Sequence, residues 1–247
     1  MDAIRNPAEW GWDQLRATAH TIASVGRAMR GAPESRAAKP MVRRIQVADL
    51  KDVLARGFSD FGAYRTDVIF LCIIYPVTGL VLARLMFGYD MLPLLFPLAS
   101  GFALIGPAAA VGLYEMSRRR ERGEIISWAA AFSVIRSPSF GAIFILGLLL
   151  LTIFLLWLVA AAIIYDNTLG PESPTSLAVF ARDALTTREG QMMIAIGVGV
   201  GFLFALLVLM ISVVSFPLLL DRDVGLLTAI GTSIRAVVRN PGPMAAW

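Results

Sequence analysis

Four long apolar runs, Val68–Phe87, Met91–Tyr114, Phe140–Tyr165 and Met192–Leu220, interrupt an otherwise polar or amphipathic chain. Their single charged residue, Arg84, sits near the end of the first run. A helix rises about 1.5 Å per residue, so about 20 apolar residues cross a hydrocarbon core of about 30 Å. Each run therefore predicts a membrane-spanning helix. The expected fold class is all-α: a polytopic transmembrane helical bundle with four spans, at about 68–87, 91–114, 140–165 and 192–220.

Helical periodicity of a different kind precedes the runs. From Pro7 to Arg30, Trp12, Leu15, Ala19, Ile22 and Met29 fall near one face, with Asp13, Gln14, Arg16, Arg27 and Arg30 elsewhere. Trp10 and Trp12 suit a membrane interface, where an amphipathic ring is favoured; packing on another protein is the plainer reading. A linker with Pro33 and Pro40 follows. Val47, Leu50, Leu54, Phe58 and Phe61 then recur at helical spacing against Lys51, Asp52, Arg56 and Asp60. The division expected is an N-terminal amphipathic segment and linker over 1–40 and a membrane domain over 41–247. Gly88–Asp90 predicts a tight hairpin between the first two spans. Pro93, Pro97 and Pro107 with Gly101, Gly106 and Gly112 predict a kinked, closely packed second span. Between the last two runs, Leu177–Leu185 predicts a short helix.

An internal repeat shows in FSVIRSPSFGAIF over 132–144 and RAVVRNPGPMAAW over 235–247. Val134, Arg136, Pro138 and Ala142 coincide with Val237, Arg239, Pro241 and Ala245. Arg65-Thr66-Asp67 is a looser third copy. The unit is an interfacial helix, an arginine with a small polar residue and Pro or Asp, then a pair of spans. Pro is tolerated at a helix start, where its missing N–H had no partner. Arg65, Arg136 and Arg239 stand where lipid phosphates are within reach. Units beginning near 47, 124 and 225 imply six spans in three pseudo-repeats, with a final hairpin beyond Trp247.

Composition agrees with a membrane chain: 57% hydrophobic and 16% charged, where a soluble domain is nearer 45–50% and about 25%. The charge of +4 changes the picture through its placement. Eleven Lys or Arg lie in residues 1–66, five in Glu115–Ser137 and three in Asp221–Trp247. With four spans these segments share one side, which the positive-inside rule makes cytoplasmic. The expected topology is N-in, C-in, in a bacterial inner membrane, with Asp166–Gln191 outside; nucleic-acid binding is not expected. One cysteine, Cys72, and one histidine, His20, exclude an intrachain disulfide framework and multi-histidine haem or copper sites in the spans.

Candidate functional residues cluster at the ends of the spans. Glu115 closes the second, where the helix dipole disfavours an anion; Arg118 and Arg119 at i+3 and i+4 are placed to offset it. That reads as a structural anchor, with an ion or substrate gate as the alternative. Arg118, Arg119, Arg120 and Arg122 form a stop-transfer anchor able to attract anionic headgroups at about 1 kcal/mol per residue, or a partner. Gly197 and Gly201 form a GxxxG step in the last span, for internal packing or a dimer face. No hydrolase, metalloprotease or nucleotide-loop motif occurs, and no cofactor or metal is expected.

AYRTDVIFLCIIYPV at 63–77, FGYDMLPLLFPLASGFALIGP at 87–107, GLYEMSRRRERGE at 112–124 and SFPLLLDRDVG at 215–225 carry a resemblance to a family of predicted bacterial integral membrane proteins of unknown function. It covers roughly residues 40–247 and implies a final hydrophobic hairpin but no activity, ligand or catalytic residue. Members often bear the label cytochrome c oxidase subunit I, which spans without histidine do not support. The expected role is a non-enzymatic accessory, scaffold or assembly subunit of a membrane complex, respiratory or photosynthetic complexes included. It would contact the lipid bilayer and other membrane subunits. A small-solute channel or transporter is the alternative, motivated by pseudo-repeats and the broken second span.

Overall fold

The computed structural model describes residues 40–63, 92–124, 133–170 and 174–246, together with Val77, Arg84 and Glu172. The expected N-terminal amphipathic helix with Trp10 and Trp12, Arg65, the expected hairpin turn at 88–90 and all of the first apolar run except Val77 and Arg84 lie outside the described residues. The described elements are all helical: α1 (Val47–Ala63), α2 (Leu95–Ala109), α3 (Val111–Glu121), α4 (Phe140–Asp166), α5 (Leu177–Thr186), α6 (Arg188–Ser212), α7 (Ser215–Asp221), α8 (Leu226–Arg239) and α9 (Pro241–Ala246). Short 3-10 turns lead into α2 at Leu92–Leu94 and toward α4 at Ser133–Arg136.

Among the described residues, three helical stretches are long and apolar enough to cross a membrane: Leu95–Glu121, Phe140–Asp166 and Arg188–Asp221. Two of these differ from the expected spans. The second begins four residues later than Met91, because Pro93 and Pro97 hold the entry in a 3-10 turn, and it continues past Tyr114 through the arginine run. It ends where Gly123 takes φ 71° and the N–H groups of Gly123 and Glu124 bond the carbonyls of Arg120 and Arg119, a Schellman closure. The last begins at Arg188 instead of Met192, after Thr187 accepts a bond from the Gly190 N–H at 3.0 Å. It is also broken, at Val213–Val214, between α6 and α7. Pro217 explains the break: it has no N–H for the Val213 carbonyl and its ring crowds that oxygen. The Val214 N–H donates instead to the hydroxyl of Ser233 on α8, at 3.2 Å.

α4 is the hub. Leu146 and Leu150 are fully buried on it, with Ala142, Ile143, Ile153, Phe154, Trp157 and Ala161 along the same side. α2 packs along one flank and α6 along the other, while α8 lies against α6 and α7. The closest approach is small-on-large: a Cβ at Gly101 would stand 2.6 Å from the Phe154 ring and 2.8 Å from Trp157 Cδ1. Trp157 is fixed in that slot by donating Nε1–H to the Pro97 carbonyl at 2.9 Å. The opposite faces remain apolar and exposed, including Phe144, Leu148, Leu155 and Val159 on α4 and Val198, Phe202 and Leu203 on α6. Such a band would be a liability in water and suits contact with acyl chains. The described interior is almost pure hydrocarbon, and the hydrogen-bonding groups collect at the two ends.

Candidate functional site

The richest constellation of charge lies where α3 and α7 end and α4 begins, at one end of the three spanning stretches. Helix geometry brings Glu115, Arg118 and Arg119 onto one face of α3. Glu115 is only 2% exposed, and its carboxylate is fully engaged. Arg118 donates to Oε2 from Nε at 2.8 Å and from Nη2 at 2.7 Å, and Arg119 donates Nε–H to Oε1 at 2.8 Å. A buried carboxylate is tolerable when each oxygen meets a charged donor.

Each guanidinium then reaches a second segment. Arg118 donates Nη1–H to the Leu220 carbonyl at 2.6 Å, in the last turn of α7. The last carbonyls of a helix lack intrahelical partners, and a cation there also meets the negative end of the dipole. Arg119 donates from Nη2 to the Ser133 hydroxyl at 2.7 Å, in the turn before α4. Glu115 and its two arginines therefore lock three span ends together. Outside this knot, Arg122 meets Asp221 at 3.2 Å and Arg222 meets it at 3.7 Å, both in solvent-exposed pairs of small energetic consequence. Arg120 points to α1, with Nη2 at 3.4 Å from the Ser59 hydroxyl.

Beside the knot is a polar cavity of about 420 Å³. Arg118, Arg119, Arg136 and Arg222 line it with Glu115, Asp221 and Asp223 and the serines 133, 137 and 139. Arg136 ends the 3-10 turn, is exposed, and has no hydrogen-bond or ion-pair partner among the described residues. Arg239 likewise ends α8 and is exposed. Next to it Asn240, 4% exposed, uses its amide as a clamp. Its Oδ1 accepts from the Ile45 N–H at 2.9 Å, and its Nδ2 donates to the carbonyls of Arg43 at 3.1 Å and Ala236 at 3.0 Å.

A second cavity, of about 380 Å³, opens at the other end among α2, α4, α5 and α6. Its two polar side chains are both spent: Trp157 on Pro97, and Tyr165, whose hydroxyl donates to the Glu172 carbonyl at 2.7 Å. The cavity wall is thus hydrocarbon. The two candidate packing glycines part company here. A Cβ on Gly201 would come within 3.1 Å of the Trp157 ring, so this glycine faces α4 within the molecule. Gly197 has open space above it and lines the apolar cavity.

Of the candidate arginines, 118 and 119 share Glu115, whereas Arg120 turns to Ser59 and Arg122 to Asp221. Sequence reasoning passed over Ser133, Ser139, Trp157 and Asn240. A tryptophan in the middle of an apolar span and an asparagine between Arg239 and Pro241 were the available signals. Among the described residues no group of three or more His, Cys, Asp or Glu side chains could hold a metal ion.

Residues 95–221, from the first residue of α2 to the last of α7, match the family described as predicted integral membrane protein, DUF2189. No curated protein and no solved structure matches the chain.

Proposed function

The chain belongs to the DUF2189 family of predicted integral membrane proteins, and on that premise we propose that it is a non-enzymatic accessory, scaffold or assembly subunit of a membrane complex. The observation that carries this reading is where the polar groups sit. The hydrocarbon core formed by Leu146, Leu150, Ile153, Phe154 and Phe216 separates two ends at which the hydrogen bonds hold helices together. Proton- or ion-coupled transport ordinarily places ionisable groups at mid-membrane depth, and the apolar stretches of these spans carry none. The apolar outer faces of α4 and α6 suit both lipid and the helices of a partner subunit.

The finer architecture belongs to the same proposal. α1 and α8 are the interfacial helices that lead repeat units on the cytoplasmic side of a bacterial inner membrane. Arg136 and Arg239 each end a helical stretch, with Pro138 or Pro241 next and a new helix from Phe140 or Pro241. That correspondence supports two of the pseudo-repeat units, those beginning near 124 and 225.

Purification in a mild detergent, followed by mass determination of the intact assembly, tests the role. A stoichiometric membrane-protein partner that leaves when the outer face of α6 is altered, as in Phe202→Ser, is the expected result. A partner-free chain that moves a small solute across liposomes would overturn the reading in favour of a channel or transporter.

A further inference from the structure

We propose that the polar cavity at the start of α4 is a seat for one singly charged phosphate diester, held by Arg136, Ser137, Ser139 and the α4 N-terminus. This rests on reading the arginine-rich end of the bundle as its headgroup-level end.

The first argument is which groups are already committed. Arg118 and Arg119 are consumed by Glu115, Leu220 and Ser133, and Arg222 is drawn to Asp221. Arg136 lines the same cavity with no partner among the described residues. The lining holds four arginines and three carboxylates, an excess of one positive charge. A phosphate diester carries one negative charge, which that excess accommodates; Arg122, outside the lining, also meets Asp221.

The second argument is the helix start. α4 is 27 residues long, and its N-cap Ser139 makes no capping bond with its side chain. Ser139 is 5% exposed and lines the cavity, and its hydroxyl has no hydrogen-bond partner among the described residues. Its oxygen opens into the cavity, so it can donate to an acceptor that enters. The first N–H groups of a helix lack intrahelical acceptors and lie at the positive end of the dipole, the ordinary setting for a phosphate, although at α4 the Phe140 N–H already bonds the Ser137 carbonyl at 3.0 Å. Ser137, whose hydroxyl accepts from the Ser139 N–H at 3.3 Å, keeps its own proton to donate. Asp223 is the opposing feature: it lines the cavity as an anion and lowers affinity.

A phospholipid headgroup is such a diester, and free phosphate, which is not one, is the comparison ligand. The test uses the full chain in a neutral detergent, titrated with dihexanoyl phosphatidylglycerol or with inorganic phosphate and read by the thermal unfolding midpoint. Arg136→Gln is expected to weaken binding about tenfold and Ser139→Ala about threefold, the scale of one charged and one neutral hydrogen bond. Asp223→Asn should tighten it, Arg136→Lys should retain most of it, and Arg120→Gln, outside the cavity, should change it by less than about twofold. Saturation by the lipid but not by phosphate supports the diester seat; saturation by both, or by neither, contradicts it. If Arg136→Gln compromises folding, the opposite shifts of Ser139→Ala and Asp223→Asn carry the test. Equal losses in Arg120→Gln and Arg136→Gln, or unchanged binding in Ser139→Ala and Asp223→Asn together, would overturn the proposal. Because binding is read on the isolated chain, its failure leaves the accessory-subunit reading standing.

Discussion

Glu115 shows how one side chain can hold a membrane bundle closed without acting on a substrate. Its burial is acceptable only because two guanidinium groups saturate it, and those groups are in turn held by Leu220 and Ser133. Replacement by Leu fits the site sterically but leaves two partly buried cations facing each other. Glu115→Leu is expected to cost about 3 kcal/mol, read as a lower unfolding midpoint in detergent. Glu115→Gln keeps an acceptor and should cost less. Sequence reasoning reached half of this knot. The i+3 and i+4 spacing announces the pairing of Glu115 with its arginines, because both partners lie on one helix. Nothing local announces that Arg118 reaches a carbonyl 102 positions away, since any residue can supply a backbone acceptor. The four arginines of the run look equivalent in sequence, and only the folded chain assigns them separate tasks.

At the scale of the helix, beginnings and ends obey local chemistry, so most were legible. Leu177–Leu185 is the expected short helix and Leu177–Thr186 the observed one, capped by Ser176, whose hydroxyl accepts from the Val179 N–H. The break between α6 and α7 was also written in the chain, in Pro217, but an apolar run reads as continuous when hydropathy alone is followed. What the sequence could not show is how the freed Val214 N–H is satisfied. The acceptor, Ser233, is fully buried on a helix that begins after the span has ended. Ser233→Ala should therefore cost about 1–2 kcal/mol, the penalty of a buried donor without a partner. Hydrogen exchange at Val214 is the direct measurement: faster exchange there, with the middle of α6 unchanged, is the expected pattern. Unchanged exchange at Val214 would mean that the Val214 N–H does not depend on Ser233.

Across the whole molecule, three spanning stretches pack with no hydrophobic drive toward one another in lipid, so close van der Waals fit and hydrogen bonds must hold them. The arginine-rich end supplies the hydrogen bonds. The opposite half supplies the fit, centred on Trp157, which lies between Gly101 on α2 and Gly201 and Phe204 on α6, its ring 5.7 Å from that of Phe204. Sequence pattern flagged glycines as close-approach sites but could not say which large residue fills the space, since that depends on how the helices are rotated. Gly101 is the sharpest case, because a Cβ would press on Phe154 and Trp157 together. The indole cannot swing aside without losing its bond to Pro97, on the same helix as Gly101. Gly101→Ala is therefore expected to destabilise the bundle by about 1–3 kcal/mol, although alanine is the better helix former. Trp157→Phe removes the bond but shortens the ring, so it relieves the clash. The two changes should be less than additive, with a coupling of at least about 0.5 kcal/mol in a double-mutant cycle of unfolding midpoints. Strict additivity would mean that Trp157 does not carry the contact at Gly101 and that Phe154, which stands closer, does.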